Sequence, residues 1–276
     1  MPSDLSDILW MRRRRGGGSS PSYDPDALAL FAAMSVEPDN TRKALTNSTI
    51  VALKSAGIWE DLDLLYCLAA HDAQAARLNW RNPSTYTCAL VNAPAYTVDR
   101  GYQGDGSTSY LNTQWQPGTH GVRYADYDAS LWVWSRTDAQ VDGCDIGTRS
   151  TSPNSRESSI FTKHSSGALL MRINQGNIGG ATTDMANSMG LYGAQRVDDS
   201  STIYRWKDGA AVAPATGSNH AFTGRPTANL GVCARIGALS YSPRQIAFAA
   251  AGASLAGKEA AFYSIINDYM TAVGAA

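Results

Sequence analysis

Four glutamates, Glu37, Glu60, Glu157 and Glu259, are the only ones in the chain, and their placement is the first test for catalysis. Cleavage of a glycosidic bond needs two carboxyl groups flanking it, about 5 Å apart for retention and about 6.5 to 9.5 Å apart for inversion. Glu37 and Glu60 fall in a helical stretch and Glu259 in a closing helix, and no Glu-x-Asp-x-x-Glu or Glu-x-Asp-x-Glu run marks a strand. Asp142 and Asp145 flank Gly143 and read as turn residues; an aspartate pair built from distant strands stays open. His71, His120, His164 and His220 never fall at metal-ligand spacing on one element, so no zinc site is expected. Asp126 with Asp128, or Asp198 with Asp199, could hold calcium or be solvated turns. There is no Gly-x-Ser-x-Gly elbow, phosphate loop or dinucleotide fingerprint. The expectation is a chain without cofactor, metal or catalytic residues, hence not an enzyme. For sugar binding the groups to watch are aromatics beside polar loops: Trp115, Tyr124, Tyr127 and Trp206. Aromatics on strands also serve as core, and Trp132 and Trp134 read that way.

The elements that must position these residues change character at Asp99 to Thr113, where Gly101, Gly104 and Gly106 supply turn conformations. Two short strands folded around this turn are expected to open a long β domain. Before it, apolar residues recur at helical spacing. Asp24 and Pro25 start one helix, Pro38-Asp39 starts a second that stops at Gly57, and Ile58, Trp59, Leu62, Leu65, Tyr66 and Leu68 predict a third. After it, alternation dominates. Leu131 and Val133 oppose Trp132 and Trp134 on a central strand, and Asp208-Gly209 marks a hairpin. Leu230 to Ile236 and Gln245 to Ala249 add strands, and a helix from Ser254 to Val273 closes the chain. The pattern predicts a mainly β protein: an antiparallel jelly-roll β-sandwich over 84–276 with a C-terminal helix, preceded by a small helical unit over 24–83.

With 276 residues and a hydrophobic share of 43%, the chain can bury a substantial core. A net charge of −1 gives no reason to expect nucleic acid as a partner, and no run is long and apolar enough to insert in a membrane. No signal peptide is read, so synthesis in a cytoplasm is expected. Cys67, Cys88, Cys144 and Cys233 show no Cys-x-x-Cys pair; buried reduced thiols are expected, with a disulfide formed later as the alternative. Residues 1–23 stand apart. Leu5, Ile8, Leu9 and Trp10 form an apolar peg, Arg12, Arg13, Arg14 and Arg15 a basic run, and Gly16 to Ser22 a loose tether. This reads as an anchor that docks on another protein, or as a solvated tail.

Trp59 to Tyr66, Ala70 to Asn79 and Asp99 to Gly106 with Tyr110 to Thr113 resemble stretches of virion proteins from tailed bacteriophages. Tyr204 to Gly209, Gln245 to Ala249 and the helix from Ser254 resemble the end of a concanavalin-like, laminin-G-type jelly roll borne by such proteins. The resemblance implies a fibre, collar or surface-decoration subunit located in the virion. It would attach to other virion proteins by its N-terminal segment, assemble as a homotrimer, and present its jelly roll to a host-surface glycan. A glycan hydrolase or lyase on the same fold is the alternative.

Overall fold

The computed structural model describes residues 22–150, 155–176 and 183–276. The expected anchor, Leu5 to Trp10 with Arg12 to Arg15, lies outside them. The strands are β1 (Leu62–Cys67), β2 (Ala89–Val91), β3 (Ala95–Thr97), β4 (Gly101–Gln103), β5 (Tyr110–Asn112) and β6 (Ala129–Ser135). Then come β7 (Ile146–Ser150), β8 (Arg156–Phe161), β9 (Leu170–Gln175), β10 (Gly190–Arg196), β11 (Thr202–Lys207) and β12 (Ala210–Thr216). Last are β13 (Gly231–Val232), β14 (Ala234–Ile236), β15 (Ser240–Tyr241) and β16 (Gln245–Gly252). The helices are α1 (Pro25–Ala33), α2 (Asn40–Ser55), the single turn α3 (Pro117–His120) and α4 (Glu259–Ala272).

These strands form a β-sandwich, as the alternation predicts. One sheet runs β12-β11-β10-β6-β16, with β1 and β4 sharing the far edge of β16 and β3 beyond β4. The other runs β15-β14-β7-β13-β5-β2, with β8 on the opposite edge of β7 and β9 beyond it. Pairing is antiparallel except for β14 on β7. Leu131, Val133, Tyr192 and Ala249 of the first sheet meet Leu111, Ile146, Ile160 and Met171 of the second in one core. β6 is buried along its whole length. Its other face, Trp132 and Trp134, meets Phe262, Ile266 and Met270 of α4, and Leu30, Ile50 and Leu53 of α1 and α2 join the same cluster. The described residues therefore make three layers, with α1, α2 and α4 on the first sheet and none of them on the second. The Trp132 ring fits because β10 places Gly193 beneath it, where a Cβ would come within 2.1 Å.

The helix starts follow the sequence. Asp24 caps α1, accepting from the Asp26 N–H at 2.9 Å, and Asp39 caps α2, accepting from the Arg42 N–H at 2.7 Å. Two expectations are corrected. The third helix is absent: after a short 3₁₀ turn at Trp59–Asp61 the chain runs as β1 against β16. Leu64 and Tyr66 enter the sandwich core while Leu62, Leu65 and Cys67 face the helices. A strand covered on both faces has apolar residues throughout, which imitates helical spacing. The turn after Asp99 does not fold two strands onto each other either. β4 belongs to the first sheet and β5 to the second, so the turn carries the chain between layers. Asp105 ties it, its carboxylate accepting from the N–H of Ser107, Thr108 and Ser109 at 2.7 to 2.8 Å, and those bonds hold its pKa well below the usual carboxylate range.

Candidate functional site

The loop between β5 and β6 builds the most elaborate surface of the sandwich. It is fastened at two points. The register slips between Leu62 and Leu64, and the bulged Asp63 accepts from the backbone N–H groups of Val122, Arg123 and Tyr124 at 2.8 to 3.3 Å. Arg225 reaches in from the other side, its Nη1 donating to the carbonyls of Pro117, Gly121 and Tyr124 at 3.1 to 3.4 Å and its Nε pairing with Asp126 at 2.9 Å.

Two cavities open along this loop, with Val122, 81% exposed, on the wall between them. The first holds about 320 Å³ and is lined by Asp63, Arg81, Tyr86, Trp115, His120 and Arg123. Tyr86 and His120 set their rings 5.3 Å apart. His120 Nδ1 accepts from the Gln116 N–H at 3.1 Å, so in the neutral ring the proton sits on Nε2, a donor with no partner among the described residues. Tyr86 holds a left-handed backbone, φ 59°, and its carbonyl accepts from the hydroxyl of buried Tyr66 at 2.5 Å. Arg81 lies over the Trp59 ring at 4.6 Å and donates to Glu60 at 3.2 Å; the half-exposed Arg123 reaches the same carboxylate at 3.9 Å. The second cavity, about 530 Å³, is lined by Tyr124, Asp126, Tyr127, Asp128, Asp198 and Arg225.

Three of the four aromatics marked in the sequence gather here, in different roles. Trp115 is fully buried under the first cavity, edge-on to Tyr124 at 5.6 Å, and its indole N–H has no partner among the described residues. Tyr124 is an internal strut: its hydroxyl meets Ser158 Oγ at 2.6 Å and donates to Asn174 Oδ1 at 3.0 Å. Tyr127 is 42% exposed beside Phe222 and is the one free to stack on a ligand. Trp206 lies elsewhere, on β11 against the helix-side core. The sequence reading missed Tyr86, His120 and Arg123 as site residues; Tyr86 shows no signal beyond its type, and its tie to the Tyr66 hydroxyl of β1 is a contact the local sequence does not record.

The acidic residues sort differently from their sequence reading. Asp145 is not turn chemistry: it is fully buried and paired with the equally buried Arg244 at 3.0 Å, whereas Asp142 stays at the surface with His164. Glu157 is buried among arginines, and Glu259 accepts from Gln195 Nε2 at 2.8 Å. Asp126, Asp128 and Asp198 share one cavity, yet no group of three or more His, Cys, Asp or Glu among the described residues is placed to hold a metal ion. All four cysteines are buried and unpaired. No helix among the described residues is long and apolar enough to cross a membrane.

No protein-family model matches the sequence, and no curated relative does. Solved structures do match in fold. A mutant of Trypanosoma rangeli sialidase displaying trans-sialidase activity aligns at 12% identity and TM-score 0.55, over 84% of this chain and 40% of its own. Trypanosoma rangeli sialidase itself aligns at 14% and 0.51, with the same coverage. The chain thus spans 40% of the length of these sialidases, and at such identity the likeness fixes the fold alone. The expectation of a non-enzymatic chain, which rested on the missing carboxylate pair and on the resemblance to virion proteins, is corrected here, because the fold is one shared with sialidase chains.

Proposed function

We propose that the chain is a glycan-recognition subunit of a bacteriophage virion, joined to other virion proteins through residues 1–23 and presenting its sandwich to the host surface as a homotrimer. The observation that supports glycan recognition is the first cavity, where Tyr86 faces the ring of His120, which stands with the cationic Arg123 on the loop fastened by Asp63 and Arg225. Aromatic faces receive the apolar face of a sugar ring, and fixed N–H donors read its oxygens. The likeness of Trp59 to Tyr66, Ala70 to Asn79 and Asp99 to Gly106 to tailed-phage proteins supports the virion setting. Weak single sites would suffice there, since copies on one particle raise the effective concentration.

The full chain applied to a panel of bacterial surface polysaccharides tests the first part, with reducing-end release followed in the same wells. Binding that falls at least tenfold in Tyr86→Ala and Arg123→Ala supports it; binding to no member of the panel, or binding unchanged in both variants, overturns it. Release of reducing ends would move the reading to the glycan hydrolase on the same fold. Immunogold labelling with an antibody to the chain tests the virion part, and purified phage particles without label would overturn it.

A further inference from the structure

Among the described residues no long helix covers the outer face of the second sheet, since α1, α2 and α4 all pack on the first. Four charged side chains from four strands meet at the middle of that face: Arg149 of β7, Glu157 of β8, Arg172 of β9 and Arg235 of β14. Alternation puts them there. Ile146, Ile160 and Met171 point into the sandwich core, so Arg149 and Glu157, which lie opposite each other, and Arg172 point away. Arg235 joins them by pairing opposite Gly147.

Glu157 is fully buried, and its Oε1 accepts from Arg235 Nη1 at 2.8 Å, Arg172 Nη1 at 3.2 Å and Ser159 Oγ at 2.6 Å. Arg149 Nε stands 3.9 Å from Oε2. The Phe161 ring lies against both Arg172 and Arg235, at 5.9 and 5.6 Å. Arg172 and Arg235 therefore share one carboxylate, on side chains only 8 and 13% exposed, with Arg149 beside them. Positive charge withdrawn from water without a matching anion is costly. Oε1 already has three donors, while Arg172 Nε, more than nine-tenths buried, and the Nη2 groups of Arg172 and Arg235 have no partner among the described residues.

The geometry points to this cluster as a binding site for a compact oxyanion, the carboxylate or sulfate group of an acidic saccharide. The planar guanidinium groups of Arg172 and Arg235 offer the forked donors that such a group takes up in pairs, and Glu157 holds them in place. The site stands on a different face from the β5–β6 loop and does not depend on the reading of that loop.

Calorimetric and NMR titration of the full chain with sodium sulfate, sodium glucuronate and glucose, against sodium chloride at matched ionic strength, tests it. Sulfate and glucuronate are expected to saturate a site and to shift the arginine Nε–H signals of Arg172 and Arg235, and glucose is not. Loss of one charge-assisted bond should weaken binding roughly tenfold or more in R235Q and in R172Q, with R235K between R235Q and the unaltered chain. R235Q carries the test if R172Q does not fold, because Arg235 is the more exposed of the two. Responses equal to chloride, or saturation unchanged in R235Q, overturn the site; saturation by sulfate but not by glucuronate overturns the carboxylate as the group it takes.

Discussion

Asp63 joins the fold to the candidate groove, and replacing it with alanine tests whether the loop is truly fixed. Its carboxylate accepts three consecutive backbone N–H groups, those of Val122, Arg123 and Tyr124. Val122 and Arg123 are exposed, so water takes over their N–H groups in Asp63→Ala; Tyr124 is buried, so its N–H loses its partner without replacement. An orphaned buried donor costs about 1 to 3 kcal/mol, and losing the charge-assisted bonds adds about 1 kcal/mol once water is allowed for. The loop should then open more easily by about 2 to 4 kcal/mol, which speeds amide exchange at Tyr124 by roughly 30- to 1000-fold. Hydrogen exchange followed by NMR reads this directly, and Asp63→Asn, which keeps one acceptor oxygen, should fall between. Glycan affinity should drop along the same series. Exchange at Tyr124 unchanged within threefold in Asp63→Ala would refute the claim that this carboxylate fastens the loop.

Three other outcomes follow from buried groups. Arg244→Met leaves the fully buried Asp145 carboxylate without its cation and should cost about 3 to 5 kcal/mol in urea unfolding, much of it recovered in the double variant with Asp145→Asn; a loss under about 1 kcal/mol would contradict the pairing. Burial, with Arg205, Arg172 and Arg196 nearby, holds the pKa of His220 below its ordinary 6.5. The unfolded chain therefore takes up that proton first, and stability should fall as pH drops below about 6.5, less steeply in His220→Gln; identical pH profiles for the two proteins would show that His220 does not contribute. Burial pushes the thiols of Cys67 and Cys88 up to about 12 and raises those of Cys144 and Cys233 as well. Iodoacetamide at pH 8 should leave the native chain unlabelled and modify all four cysteines in guanidinium, and rapid native labelling of any one would place it at the surface.

The fold was legible where one physical cause dominates the local sequence. β6 shows it: Leu131 and Val133 against Trp132 and Trp134 announce a strand covered on both faces, and each pair does enter a different core. Asp24 and Asp39 announce helix starts because a cap is a local hydrogen bond. β1 was misread for the opposite reason. Its identity as a strand comes from β16, nearly two hundred residues away, and nothing within Leu62–Cys67 records that partner. The same holds for the turn at Asp105, whose glycines were visible while the assignment of its flanking strands to separate sheets was not.

The candidate sites divide along the same line. Tyr127 was visible in the sequence as an aromatic in a polar loop, and it is exposed as that position suggests. Trp115 and Tyr124 share its loop but face inward, since a loop fastened at Asp63 and Arg225 needs an interior of its own, and bulky rings supply it. Trp206 had the same sequence signature and belongs to the helix-covered sheet, because composition cannot say which layer a strand will join. The arginine cluster was the least legible of all. Arg149, Glu157, Arg172 and Arg235 are spread over 87 residues and sit in strands whose alternation hides a charge as readily on a solvent face as on a crowded one. Only strand order brings them together: β14 alongside β7, and β8 between β7 and β9, converge three guanidinium groups on one carboxylate. A one-residue slip of β9 on β8 would send Arg172 into the sandwich core, so the register that builds the hydrophobic core also assembles this charge.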